Sequence, residues 1–577
     1  MSANILAGRT SSWTFAIGCI AVTIGVLLHV QMFADARSMN YHLAGMDMGW
    51  GMTAGMALIV LGLLTAGHGL LPVSRLKKHE HHQSEVFIET TEDTKLTRAH
   101  WMLMIVMAIA LVIDTMKPAT LGFVLPGMRT EYGISQETVA LFPLSALIGT
   151  VAGSIIWGVL ADIYGRRASI LLSAIMFVGT AICGAMPSFE WNLVMCFMMG
   201  ASAGGMLPVA YALLAEAMPA GSRGWALVLV GGLGTAGGYL VASGLSNILQ
   251  PDFGWRIMWL LGLPTGLLLI VLNQYIPESP KFLVFQGRIS EARETMKRFG
   301  SIVHIRPLAA VEKEDLRSRL QSIFRNMAFI KMTVALTITG LTWGLLNFGV
   351  LLWLPSQLAE RGYDIVRASQ LLAQSTFIAL PAVVITALAY SLWSTKYTLV
   401  SSVAIMLAGL LGLLLIDNPI PGLDNPLIFM TLLIIGVNCV IATILPYAAE
   451  NYPLYVRGRA TGWVAGMTKA GGIGAQLFGL FGVIPAIGVA AAVLSVPTVL
   501  STLLVALWGN ETRGRVLSDI ELFEAEKPDN VATPRASAET RRSVKRGRAR
   551  RTPQNSPASK SPIRFWGRTE REPDTDS

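Results

Sequence analysis

Three ionisable residues stand where hydrocarbon penalises them. Asp114 and Lys117 fall in the apolar run 101–125, and Lys469 falls in the run 461–483. Counting from Trp101 at about 1.5 Å per residue places Asp114 roughly 20 Å along a helix. An unpaired charge at that depth costs about 2.5–3.5 kcal/mol on insertion scales. A carboxylate there suits reversible protonation, and a lysine suits capture of an anionic group. Asp114 and Lys117 are three residues apart and share a helix face, so a purely structural pair is the competing reading. Lys469 lies about 15 Å beyond Arg459 by helical rise and has no acidic neighbour at helical spacing. Its partner must lie elsewhere, with a substrate carboxylate as one candidate and Asp114 across the half interface as another; a lysine snorkelling to an interface is the alternative.

The elements that hold these charges are membrane helices. The chain has 577 residues, of which 53% are hydrophobic and 14% charged, with a mean hydropathy of +0.54. That is too apolar for a water-soluble core. Runs long enough to span hydrocarbon recur at 13–32 and 49–71, then in two sets of six, from 101 to 276 and from 330 to 508. The expected fold is therefore all-α and integral to the membrane. The expected organisation is a hairpin of two spans over 1–72, a linker over 73–98, a six-helix half over 99–276, a central loop over 277–329, a second six-helix half over 330–508, and a polar tail over 509–577. The first span is read as a retained helix rather than a cleaved leader, although Ala34, Asp35 and Ala36 follow it. The net charge of +9 collects in alternate connections, at Arg75, Lys77 and Lys78, at Arg166 and Arg167, in the central loop, at Lys396, and at Arg457 and Arg459. This pattern argues against a nucleic-acid partner and puts those connections and both termini in the cytoplasm of a cell that keeps the chain in its plasma or inner membrane. Cys19, Cys183, Cys196 and Cys439 all lie in apolar spans without paired spacing, which points away from disulfides and zinc.

The chain repeats itself. Glu216, Pro219, Arg223 and Gly224 read E-x-x-P-x-x-x-R-G, and so do Glu450, Pro453, Arg457 and Gly458, 234 residues later. Glu278 and Glu511 form a second pair, 233 apart. Two homologous halves related by an axis along the membrane normal would place a solute path at their interface. With Gly158, Asp162, Gly165, Arg166 and Arg167 in one loop, and Pro277, Glu278, Ser279, Lys281, Gly287 and Arg288 after the sixth core span, the chain resembles the major facilitator superfamily, in its metabolite:H⁺ symporter and sugar-porter branches. The resemblance covers about residues 99–521. It implies a major facilitator fold of two six-helix halves, here with two additional spans before them. Asp114, Gly122 and Pro126 match a pattern of aromatic-acid proton symporters, with Lys117 standing where that pattern has a second Asp. Ile163 and Cys196 replace arginines common in the family, and the stretch from Ser391 to Lys396 shows no recognisable second copy of the signature loop.

The expected function is secondary active transport of a small organic anion, a carboxylate metabolite, by alternating access with proton coupling, in a monomer without cofactors and without enzymatic activity. Asp114 is expected to carry the coupling proton, and Lys117, Lys469, Asn347, Asn438 and Trp343 to contact substrate. Asp162, Arg166, Arg167, Glu216, Arg223, Glu278, Glu450 and Arg457 are expected at helix ends, where opposite charges can latch one state. Gln357, Gln370, Gln374, Gln476, Phe348 and Tyr211 are further cavity candidates. A transporter of a sugar or other neutral solute is the near rival, and a non-transporting membrane sensor is a rival of another class.

Several features are set aside. Gly232, Gly234 and Gly237 fit G-x-G-x-x-G but sit inside a span, where close packing explains them better. The same packing reading is given to Gly200 with Gly204 and to Gly462 with Gly466. The hairpin is rich in soft ligands, among them His29, Met32, Met46, Met48, Met52 and Met56. Thioethers and imidazole would suit Cu(I), yet methionine is an ordinary membrane filler, and no metal is expected. The Lys, His and Glu of residues 77–82 are read as a solvated linker. The basic cluster around Arg541–Arg551 is read as a disordered segment drawn to anionic lipid.

Overall fold

The computed structural model describes residues 2–71, 86–89, 95–285, 288–300, 302–305, 326–360, 362, 364–414, 426–452, 454–482 and 487–513. The chain divides into two compact units, Met1–Leu517 and Ser518–Ser577, the second of which lies outside the described residues. So do residues 77–82, most of the central loop and the side chains of Asp162 and Arg457.

The spanning helices are α1 (Ser2–Asp35), α2 (Trp50–Leu70), α3 (Arg98–Tyr132), α4 (Leu141–Tyr164), α5 (Arg166–Gly179), α6 (Phe189–Ala203, resuming at Met206–Ala217), α7 (Ala220–Phe253), α8 (Gly262–Leu272), α9 (Met327–Leu345, resuming at Leu352–Glu360), α10 (Ile365–Leu392), α11 (Thr395–Leu414), α12 (Pro426–Asn451), α13 (Leu454–Leu480) and α14 (Ile487–Trp508). Among the described residues, thirteen helices are long and apolar enough to cross a membrane. Helix α13, which carries Lys469 mid-length, is not among the thirteen, yet it packs against α4, α9 and α12 within the bundle. The all-helical expectation holds. The described strands are two short ones, β1 (Val86–Glu89) and β2 (Ile302–Ile305), which pair antiparallel. They join the segment after the hairpin to the loop between the two halves.

Hydrocarbon offers no apolar drive for helix association, so close backbone approach must supply dispersion contacts. In the hairpin, a side chain at Gly18 would stand 2.6 Å from the Gly62 carbonyl oxygen, and one at Gly25 would stand 2.7 Å from that of Gly55. These glycines are seven apart on each helix, which brings α1 and α2 together along one seam. The hairpin docks on α5 and the turn after it, with Val22, Val26, Met52 and Ile59 packed against Ile175, Val178, Ala181 and Ile182.

A carboxylate helps to tie its connecting loop to the core. Glu131, at the end of α3, accepts hydrogen bonds from the Leu43 and Ala44 amides at 2.8 and 3.0 Å and from Trp255 Nε1 at 2.7 Å. It also pairs with Arg256 at 2.7 Å, and both side chains are almost fully buried. Breaking such a pair from one side costs about 3–5 kcal/mol because the other charge is left buried alone.

Candidate functional site

A cavity of about 450 Å³ opens between the halves, within the range of small-molecule sites. Helix α3 brings Asp114 and Thr115 to it, α7 brings Tyr239, α9 brings Trp343, Asn347 and Phe348, α12 brings Asn438, and α13 brings Lys469. Asp114 and Lys469 come from different halves, and each is the opposite charge whose field the other feels. Lys469 Nζ lies 5.4 Å from the centre of the Phe348 ring, within cation–π range. Phe348 and Trp343 meet edge to face at 5.9 Å and 87°. Trp343 is fixed by its own hydrogen bond, Nε1 to the Val437 carbonyl at 2.8 Å.

The local backbone explains why Asn347 and Phe348 reach the cavity. Residues Leu346–Leu351 form a π turn inside α9, which loosens the regular hydrogen-bond ladder, as π turns at functional positions do. Gln476 on α13 donates to the Phe348 carbonyl and accepts from Trp353 Nε1 at 3.1 Å. It holds the turn open from behind and is absent from the cavity wall. Tyr211 is absent as well, since it packs on Gly231. Gln370 instead accepts from Arg367 at 3.5 Å. Of the further candidates, Phe348 lines the cavity, whereas Gln357 and Gln374 do not.

Lys117 requires a correction. Its side chain is fully buried beside the cavity-lining face of α3 and outside the cavity wall, where Nζ donates to the Phe177 carbonyl at 2.8 Å and to Thr180 Oγ1 at 2.7 Å. The Phe177 ring centre lies 4.0 Å away. The ammonium therefore rests on the carbonyl-rich end of α5, where the helix dipole favours a cation, and it contacts neither Asp114 nor the cavity. The expectation of a substrate contact at Lys117 does not match this placement.

A second correction concerns glycines. Gly200 and Gly204 do pack closely, the former 1.8 Å and the latter 2.2 Å from α4 carbonyl oxygens as measured from an added side chain. Gly462 and Gly466 do not, because nothing lies within 4 Å of such a side chain, and both line the cavity. The cavity thus extends toward the helix ends that carry Arg166 and Arg459. At the opposite end the halves touch. A side chain at Gly122 would meet the Leu352 carbonyl oxygen at 2.7 Å, and Ser246 and Ser369 hydroxyls are hydrogen-bonded at 3.0 Å.

The charged residues expected at helix ends form two related clusters. In the first half, Glu278 accepts from the backbone N–H groups of Arg166 at 2.8 Å and Arg167 at 3.4 Å, capping α5. Ser279 donates to Glu216, which also pairs with Arg166 at 3.5 Å. In the second half, Glu511 accepts from the Thr395 amide at 3.0 Å and its hydroxyl at 2.7 Å, capping α11, while Thr512 donates to Glu450 at 2.8 Å. Glu450 also accepts from Tyr390 at 2.8 Å, and Arg223 feels the charges of both Glu450 and Glu216. Burial pushes the Glu278 carboxyl up, against its N–H donors. Glu511 is also pushed up by burial, but hydrogen bonds from Ser394, Arg513 and Thr395 outweigh this and lower it to about 2. Ser394 and Thr395 thus stand where the signature loop has Gly165 and Arg166, which is why the second copy is unreadable as sequence. Sequence reasoning also missed Tyr239 and the Glu131–Arg256 pair; no local signal marks either, since their partners lie more than a hundred residues away.

Residues 103–476 match the Major Facilitator Superfamily. The niacin transporter NiaP of Acinetobacter baylyi is 24% identical over 75% of this chain and 99% of its own length. The 4-hydroxybenzoate transporter PcaK of the same organism is 25% identical over 67% of this chain and 87% of its own. The proton:xylose symporter XylE, solved with 6-bromo-6-deoxy-D-glucose bound, shares the fold with a TM-score of 0.61 at 16% identity, over 74% of this chain and 98% of that one. With the match spanning well over half its length, this multi-pass membrane chain belongs to the Major Facilitator Superfamily of transporters.

Proposed function

We propose that the chain carries a small aromatic or heteroaromatic carboxylate across the membrane by alternating access, with a proton passing through Asp114. The observation that carries this reading is the meeting of Asp114 and Lys469, from opposite halves, on one cavity. Lys469 supplies a cation for the carboxylate, beside the Phe348 ring on which a flat substrate can stack. Edge-to-face and stacked aromatic pairs contribute about 0.5–1.5 kcal/mol beyond area burial. Asn347 and Asn438 add hydrogen-bonding groups from the cavity wall. Two relatives whose names specify niacin and 4-hydroxybenzoate support the same substrate class.

Coupling follows from the shared field. When a carboxylate neutralises Lys469, Asp114 loses its counter-charge and takes up a proton; when the substrate leaves, the two charges again satisfy one another. Charge in the occluded path is minimal in both loaded and empty states, which suits symport. The positive-inside rule assigns the open end, with Arg166, Arg167 and Lys396, to the cytoplasm. The clusters around Glu216, Glu278, Arg223 and Glu450 then serve as the cytoplasmic latch.

Uptake of radiolabelled nicotinate, 4-hydroxybenzoate and xylose into proteoliposomes under an imposed proton gradient tests this. Saturable, gradient-driven accumulation of the aromatic acids is expected. Xylose uptake with no carboxylate uptake would overturn the assignment.

A further inference from the structure

Among the described residues, the hairpin contributes nothing to the central cavity, yet it holds a buried polar atom without a partner. His29 on α1 is fully buried. Its Nδ1 lies 2.8 Å from the Gly25 carbonyl oxygen. A carbonyl can only accept, so Nδ1 carries the proton and Nε2 keeps its lone pair. That Nε2 has no hydrogen-bond partner. A metal-ligating imidazole is prepared in this way, with one ring nitrogen donating to a backbone carbonyl and the other left free.

Methionines of both hairpin helices stand within two turns of His29 or of the Gly55 that its ring meets. The His29 ring lies against Gly55 of α2, where an added side chain would stand 2.6 Å from Cε1. Met52 and Met56 bracket Gly55 on that helix, Met48 lies one turn before Met52, and Met32 lies one turn beyond His29 on its own helix. All four methionines pack in the cluster that fastens the hairpin to the core. Met52 is buried, whereas Met32, Met48 and Met56 are half-buried. Met48 precedes the start of α2 at Trp50, at the mouth of the hairpin. Ordinary filler needs neither a bare imidazole lone pair nor a glycine seam that seats its ring.

We propose that His29, with thioethers drawn from Met32, Met48, Met52 and Met56, forms a binding site for a soft monovalent cation, Cu(I), within the amino-terminal hairpin. Neutral imidazole and thioether ligands match a soft ion and leave hard divalent cations poorly served. Among the described residues, no three of His, Cys, Asp and Glu gather closely enough to hold a metal, so the selectivity comes from sulfur. The ligands carry no charge, and a single positive charge is the least costly one to seat there.

The full chain in lipid nanodiscs, kept anaerobic, is titrated with Cu(I) against bicinchoninate, and the copper-loaded protein is examined by X-ray absorption at the copper edge. One retained equivalent with both sulfur and nitrogen scatterers is expected. Loss of that equivalent is expected in His29→Leu and in Met52→Leu, a volume-conserving change, with retention in the combined His79→Ala, His81→Ala and His82→Ala variant. Spectra of the unmodified protein decide the matter even where a hairpin variant folds poorly. Failure to retain copper, nitrogen or oxygen scatterers alone, or copper lost only with the histidines of residues 79–82, would overturn the site.

Discussion

Lys117 turns its back on Asp114. The two stand three residues apart on α3, but the lysine donates to the Phe177 carbonyl and Thr180 while the aspartate faces the cavity and the field of Lys469. Residues three apart on a helix differ by about 60° in direction. That angle is enough for one to reach a solute path and the other a seam between helices. The intramembrane charges therefore divide into an aspartate and a lysine that line one cavity from opposite halves, and a second lysine anchored on a helix end.

Lys469→Met and Lys117→Met should accordingly behave differently. Removing Lys469 deletes the cation offered to substrate, and carboxylate uptake should fall to background. Removing Lys117 leaves the Phe177 carbonyl with its remaining donor, Thr180 Oγ1 at 2.9 Å. A buried ammonium with no carboxylate partner carries a desolvation cost that an apolar side chain of similar length avoids. Lys117→Met should keep the KM for carboxylate and an unchanged or raised Tm. Equal loss of uptake in both variants, with both properly folded, would place Lys117 in the permeation path after all.

The bundle was legible because spans and turns are written in apolar run length, and the duplication because Glu216 and Glu450 keep their neighbours in register. Asp114 and Lys469 stood out because charge in hydrocarbon is costly wherever it points, and Asn347 and Asn438 because the family resemblance directs attention to their helices; all four line the cavity. Which way they point depends on how each helix is rotated in the bundle, and that is decided by distant packing. Lys117 was misread for this reason, and so were Gly462 and Gly466, whose four-residue spacing resembles a helix seam but faces open space. The π turn at Leu346–Leu351 likewise depends on Gln476, more than a hundred residues away.

Asp114→Asn should separate exchange from accumulation. The amide keeps the shape and polarity of the site but neither charges nor releases a proton. Uptake driven by a proton gradient should drop to the equilibrium level, while counterflow of labelled for unlabelled substrate persists. Preserved accumulation against a gradient would assign coupling to a different group.

The open space at Gly466 can be filled without disturbing this state. Gly466→Leu should leave Tm near that of the unmodified protein, since nothing lies within 4 Å of the first added carbon, yet it should stop turnover by obstructing closure of that end. Gly344→Ala is the contrasting case, because its new carbon would stand 2.1 Å from the Thr468 carbonyl oxygen. Overpacking of this kind costs about 1–3 kcal/mol, so Tm should fall. Rapid turnover by Gly466→Leu would show that the end around Gly466 stays wide through the cycle.

Glu511 should stabilise the second half over a pH window that its partners define. Its carboxyl, ordinarily near 4.5, is lowered to about 2 in the folded chain by donors from Ser394, Arg513 and Thr395, despite partial burial. For a carboxylate with a depressed folded value, the stabilisation is present above the unfolded value and is lost as pH falls toward the folded one. The Tm difference between unmodified protein and Glu511→Gln should therefore be constant at neutral pH and shrink below about 4.5. Glu278, whose carboxyl is pushed up by burial, has the opposite sign: its charged form is the less favourable one in the fold. Glu278→Gln should accordingly cost less at neutral pH than Glu511→Gln, even though the two glutamates cap equivalent helices. A larger Tm loss for Glu278→Gln at neutral pH would mean that the N–H donors of Arg166 and Arg167 outweigh burial in the first half as well.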